Sequence, residues 1–368
     1  MNEIVIFCES YPQIKNALYL AGHNPHNHSV TVVITGLKNL YKFFNLINEK
    51  IFQGTLNIIY FSIYRGRIAN AGNRIIKAFY LLPDILKEKR HLKYIFYKHF
   101  AQLKDSEIFF FGRHFNPTTF YLLKRLSKAN RLVYIPDPIY DVVPIPKSAP
   151  SSLAELLHLA QGKSVYGHEI VMGKHPLGKK ALGMPDKFFN ENVSKVISQE
   201  ERDTMLKDFD ISRFKIFDSG NYRVMYFHDD LDDLIEYDYI SDAIAFEERL
   251  TEIFNIMAKY FPENRVALKY HPASRERRDM ISFGKRLPDF IPAEFLYHEK
   301  VKMYLGLMSV ALANVEKGVV VSLIDLISFR DDIIREQVKK ILIEESHSEI
   351  LFPKSLDELD KILVNLTD

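Results

Sequence analysis

Short apolar runs separated by segments of helical spacing set the rhythm of this chain from its first residues. Ile4 to Cys8 is apolar throughout, and the stretch behind it, Gln13 to Ala21, has the spacing of a helix. Val30 to Ile34 predicts a second strand and Leu37 to Ile51 a second helix. Leu56 to Ile63 predicts a third strand, followed by a basic amphipathic helix over Ala69 to Leu86. Glu107 to Phe111 and Leu132 to Ile135 predict further strands, with a helix over Thr118 to Ser127 between them. Apolar runs of this length alternating with helices imply parallel strands joined by crossover helices, a Rossmann-like sheet.

The pattern then breaks and restarts. Pro136, Pro138, Pro144, Pro146 and Pro150 crowd one stretch, which neither a helix nor a central strand tolerates, so a loop leaves the first domain there. Ser151 to Glu200 is mixed in character. A second α/β series follows: strand Arg223 to Phe227, helix Ser241 to Tyr260 and strand Arg265 to Tyr270. Strand Lys302 to Leu307 comes next, then a helix opened by Ser309 and strand Gly318 to Leu323. Helix Asp331 to Glu344 and a last helix, Leu356 to Leu366, close the chain, the latter expected to pack back across the first domain. The division expected is a Rossmann-like domain over 1–150, a linker region over 151–205 and a second Rossmann-like domain over 206–368. No internal repeat or low-complexity segment interrupts it.

Length agrees with two domains, since 368 residues exceed what one core usually organises. The net charge of +2 conceals an asymmetry. Up to Ala149 there are about 20 Lys/Arg against about 9 Asp/Glu, which suits an anionic partner. The Ala69 to Leu86 helix could face either an anionic glycan or a membrane surface. Cys8 is the single cysteine, so an intrachain disulfide is excluded and a reducing compartment fits. Glu3 and Glu9 bracket the first apolar run, against a signal peptide, and no stretch reaches the roughly 18 apolar residues of a membrane span. The expected location is the cytoplasm, with a peripheral contact on the inner face of the membrane left open.

In open α/β sheets ligands bind outside the carboxyl ends of the strands, so the residues just after each strand carry the candidate chemistry. After the strand ending at Tyr270 come His271 and Pro272, then Arg275, Arg277 and Arg278. A histidine there can donate a hydrogen bond, or a charge when protonated, to a phosphate oxygen. Ser309 is a natural N-cap, and a helix N-terminus offers free N–H groups to a phosphate. Tyr226 and His228, at the end of a second-domain strand, could touch a base or ribose, with core packing the plainer alternative. Ser10 and Gln13, in the loop after the first strand, would line an acceptor site. The acidic series Asp230-Leu231-Asp232 resembles a metal-binding motif but reads more simply as a solvated loop, as do His23, His26 and His28. A glycine-rich dinucleotide fingerprint, a Walker loop and a nucleophile elbow are all lacking.

The three strand-end pieces, "IFCESYPQIKNALYL", "VALKYHPASRERR" and "MYLGLMSVALANVEKGVV", resemble in order and position the bacterial GT-B sialyltransferases and polysialyltransferases. That resemblance implies two Rossmann-like domains facing each other across a cleft. It implies an acceptor-binding first domain and a nucleotide-binding second domain, with phosphate binding by His271 and Ser309 and Lys269 a weaker candidate. It also implies inverting transfer of sialic acid or a related nonulosonic acid from a CMP-sugar to a glycan. No metal or other cofactor is expected. The family's acidic pair with glycine, which carries the general base, is replaced here by Pro136-Asp137-Pro138, so Asp137 is the first candidate base and Asp141 the second. Alternatives within enzymes are a CMP-Kdo or CDP-glycerol-type transferase in surface polysaccharide synthesis. The absent acidic motif also leaves open a catalytically degenerate glycan-binding relative. Nucleic acid is not expected as a partner, for want of a basic stripe interleaved with exposed aromatics.

Overall fold

A computed structural model describes residues 3–23, 28–61, 87, 90–111, 117–136, 191–215, 217–218, 221–229, 231–236, 239–240, 242–270, 283–297, 300–309 and 311–366. The chain divides into two compact units, Met1–Asp210 and Ile211–Asp368.

The first unit is built on six strands: β1 (Glu3–Cys8), β2 (Ser29–Thr35), β3 (Asn57–Phe61), β4 (Glu107–Phe111), β5 (Arg131–Ile135) and β6 (Val193–Val196). They lie in the order β3-β2-β1-β4-β5-β6, with every pair parallel. Val5, Ile6, Phe7 and Cys8 are all buried, as befits a central strand covered on both faces. The covering helices include α1 (Ile14–Gly22), α2 (Lys38–Lys50) and α3 (Pro117–Leu126). Leu40, Phe43, Phe44 and Ile47 line one face of α2 at helical spacing and are fully buried. Residues 193–205, expected in the linker, supply β6 and most of the helix α4 (Gln199–Lys207). A reciprocal capping box between Ser198 and Glu201 starts α4.

The second unit repeats the plan. Its sheet holds β8 (Val224–His228), β9 (Val266–Tyr270), β10 (Lys285–Arg286), β12 (Met303–Gly306), β13 (Val319–Ser322) and β14 (Ile350–Leu351). The order is β10-β9-β8-β12-β13-β14, again all parallel. A separate pair, β7 (Phe217–Asp218) and β11 (Leu296–Tyr297), lies beside it. Counted within each sheet, both orders are 3-2-1-4-5-6, the doubly wound Rossmann order. Helices α5 (Leu231–Glu236), α6 (Ala243–Tyr260), α7 (Asp332–Glu345) and α8 (Leu356–Val364) accompany the strands. Asp242 caps α6 by accepting from the N–H groups of Ile244 and Ala245 at 2.9 and 3.0 Å.

The predicted α/β fold with two Rossmann-like units is therefore present, and two elements differ from expectation. Ser309 opens a single turn rather than a helix. The carbonyls of Ala313 and Val315 accept from His347 N–H at 3.0 Å and Ser348 Oγ at 2.6 Å, so the loop before β14 takes acceptors that a continuing helix would need. The last helix, α8, packs on α6 within its own unit, where Leu359 and Leu363 join the core with Phe254 and Met257.

Candidate functional site

In a 3-2-1-4-5-6 sheet the strand order reverses between the first and fourth strands, and a crevice opens at their carboxyl ends. Here those places are β1/β4 in the first unit and β8/β12 in the second.

At the first, Glu9 follows directly on β1. Its Oε1 accepts hydrogen bonds from the hydroxyls of Thr35, at the end of β2 (2.8 Å), and of Thr119, at the start of α3. The two hydroxyls are 3.3 Å apart. One carboxylate oxygen thus ties three elements together at the reversal point. Gln13 Oε1 accepts from the Glu9 backbone N–H at 2.8 Å, so its amide braces the loop. Ser10 is buried and its hydroxyl has no hydrogen-bond partner among the described residues. Burial, with a smaller contribution from Cys8, pushes the Tyr11 hydroxyl far above its ordinary value. At the end of β5, the buried Arg202 donates from Nη1 to the carbonyl of Pro136 at 3.3 Å and from Nη2 to Asp203 at 2.9 Å. Pro136 is the last described residue there; Asp137 and Asp141 lie outside the described residues.

At the second crevice, Asp229 follows β8 and its Oδ2 accepts from the Met308 N–H at 3.1 Å, bracing the loop that leaves β12. Gly306 allows the two strands to close up, because a Cβ there would stand 3.2 Å from the Phe227 carbonyl oxygen. Ser309 Oγ accepts from Ala311 N–H at 3.3 Å and its carbonyl from Leu312 N–H at 3.0 Å. With one turn behind it, Ser309 has no aligned series of peptide dipoles to offer a phosphate; what remains is the local N–H cap.

His228 closes β8 and is 7% exposed. Its ring lies 4.5 Å from that of Tyr270 and 5.9 Å from that of Tyr226, and the Arg286 guanidinium stands 4.3 Å over Tyr270. Tyr226 itself is core: its ring meets Phe254 edge-on at 5.0 Å, and burial drives its hydroxyl far upward. Lys269 is also buried. Its ammonium donates to the carbonyls of Tyr270 and, at 3.3 Å, of Asp289. Burial depresses it to about 8, against the opposing pull of Asp289 and Glu294 and with a small push from Arg286. His271, Pro272 and the arginines after them lie outside the described residues.

The structure thus gathers His228 with Tyr270 and Arg286, and Asp229 with the Met308-Ser309 loop. It places Tyr226 and Lys269 inside the body of the unit. Thr35, Thr119, Arg202 and Asp229 were not singled out by the sequence, and Glu9 was given no chemical role there. Glu9 and Asp229 had a usable signal, since each is the first residue after the first strand of its sheet. Thr119 and Arg202 had none, being brought in from 110 residues away in one case.

What the two sheets define is a two-unit α/β protein, each unit doubly wound. No protein-family model matches the chain, and no curated protein matches it. Among solved structures, it is similar to Arabidopsis thaliana UGT89C1 complexed with UDP-L-rhamnose, at 11% identity over 98% of this chain and 89% of that one, TM-score 0.37. The same protein complexed with UDP gives 11% identity over 100% and 90%, TM-score 0.42. An S. aureus MnaA–UDP structure gives 13% identity over 94% and 90%, TM-score 0.34. Overlaps this loose carry no argument about activity, and the fold rests on the strand order of the two sheets.

Proposed function

We propose that the chain is an inverting glycosyltransferase that moves sialic acid or a related nonulosonic acid from a CMP-sugar to a glycan acceptor. The observation that carries the broader reading is the pairing of two doubly wound units, each with polar groups collected at its reversal point: a carboxylate in the first, a braced backbone loop in the second. The narrower choice of donor is supported by the order in sequence of His271-Pro272, directly after β9, and Ser309, after β12.

In this reading a first-unit carboxylate removes the proton of the acceptor hydroxyl. The freed oxygen attacks the anomeric carbon from the face opposite the phosphate, and CMP departs with the bonding electrons. Asp137 and then Asp141 are the bases suggested by the sequence, and Glu9 joins them as the carboxylate held at the β1 end. His271 and the N–H groups about Ser309 would stabilise the charge gathering on the phosphate. A single phosphate asks for few donors, so the transfer as proposed uses no metal. Donors of CMP-Kdo or CDP-glycerol type are the rival within the same chemistry.

Calorimetry with CMP and CDP on wild type and His271→Ala tests this. CMP binding that weakens at least tenfold in the variant is expected. If neither nucleotide binds the wild type, the nucleotide-sugar reading falls; binding of CDP alone would transfer it to the diphosphate donors.

A further inference from the structure

We infer that the basic, tyrosine-bearing surface formed by residues 90–104 and the end of α3 docks the protein on an anionic lipid bilayer. The sequence alone gave no basic stripe interleaved with exposed aromatics, yet the fold assembles one. Residues 90–99 are helical and bury Leu92 and Ile95 against the first unit. The opposite face carries Arg90, Lys93, Tyr94, Tyr97 and Lys98, all exposed. Tyr94 and Tyr97 are 60% and 58% exposed, high for aromatic rings in a folded protein. Lys98 lies 5.7 Å over Tyr94 and Lys93 5.8 Å over Tyr97, so each ring is paired with a cation on the same face.

Next to this helix, Lys124 and Arg125 end α3 and Lys128 follows. The Arg125 guanidinium stands over the rings of Phe96, Tyr97 and Tyr121 at 5.2, 6.0 and 5.1 Å, joining the two helices into one surface. Between them lies a cavity of about 220 Å³ with Phe96, Phe100 and Leu103 in its wall and Lys104, Arg125 and Lys128 among its lining. From residue 90 to 104 the sequence contains no acidic residue, and none of these cations forms an ion pair among the described residues. Among the described residues the surface therefore holds positive charge outside any ion pair, over rings and an apolar recess.

Charge complementarity selects an anionic partner, and the apolar part selects among anions. Tyrosine and lysine side chains with an apolar body and a polar tip suit the border between headgroups and acyl chains. A recess walled by phenylalanine and rimmed by cations accepts an anionic headgroup with the start of its chain. A purely polyanionic strand would leave that recess unused. The location agrees: residues 100–106 and 127–130 lead into the amino ends of β4 and β5, at the sheet edge opposite the carboxyl ends where ligands bind. A molecule docked here keeps its first-unit crevice turned from the bilayer. The inference does not depend on the donor or on the reaction proposed above.

The test is co-sedimentation of the full chain with vesicles of phosphatidylcholine alone and of a phosphatidylcholine–phosphatidylglycerol mixture. Wild type should bind the anionic vesicles and be released by raised salt. Lys93→Gln/Lys98→Gln/Lys128→Gln, all at exposed positions, should weaken that binding on the order of a hundredfold. Tyr94→Ser/Tyr97→Ser should weaken it several-fold while leaving the salt dependence in place. Circular dichroism checks that both variants fold. Absence of binding by wild type, equal binding to neutral vesicles, or wild-type binding by the lysine variant would overturn the inference. So would displacement from vesicles by a short RNA that itself binds more tightly, which would reassign the surface to polyanions.

Discussion

Lys269 sits where the fold disfavours its charge. Depressed to about 8 from an ordinary 10.5, it costs the folded state stability in full below pH 8. That cost fades as pH rises from 8 to 10.5, because the unfolded chain still holds the proton and the folded chain does not. Relative to Lys269→Met, wild type should gain on the order of 3 kcal/mol across that window, read from denaturant unfolding of both proteins. Parallel pH profiles would show the ammonium to be unperturbed. Glu9 gives a second residue-scale prediction. Glu9→Gln keeps an oxygen for Thr35 and Thr119 but cannot take up a proton. Its melting temperature should therefore stay close to wild type while kcat for sugar transfer falls on the order of a hundredfold, if Glu9 is the base. An unchanged kcat would return that role to Asp137. Of these residues the sequence marked Lys269 as a ligand and gave Glu9 no chemical role. A lysine beside a His-Pro pair looks like a phosphate ligand until the strand places its ammonium against two carbonyls.

Elements were legible where burial dictates pattern. Every strand of the first sheet up to β5 was visible as an apolar run. β1, β2, β4 and β5 are covered on both faces and have no polar alternation to confuse, and the half-buried edge strand β3 is still apolar over residues 58–61. β6 was not, because Val193–Val196 is mostly exposed at the sheet edge and reads as linker. The turn at Ser309 was misread because an N-cap serine before "VALANV" fits a helix, whereas the acceptors are claimed by Ser348 and His347 from a distant loop. Close approach of elements is equally invisible in one dimension. Gly306→Ala should cost about 1–3 kcal/mol, since its Cβ would meet the Phe227 backbone oxygen, which cannot swing aside. Thermal unfolding of that variant at wild-type temperature would show that β8 and β12 can part slightly.

At the scale of the whole molecule, two units with no detectable sequence repeat arrive at the same strand order. Parallel sheets of this size demand long crossovers, and the positions of strands one and four are set by topology rather than by anything local. This is why the reversal points could be located only after the sheets were known. β1 is central in its sheet yet precedes every other strand of that sheet in the chain. Its edge toward β4 stays open until Glu107 has been made, a wait of roughly 5–20 s at usual elongation speeds. The second unit meets the same delay between β8 and Met303 of β12. Yield in the cell should therefore respond to translation speed across the codons between β1 and β4 and to holdase chaperones, even in variants whose finished fold is no less stable.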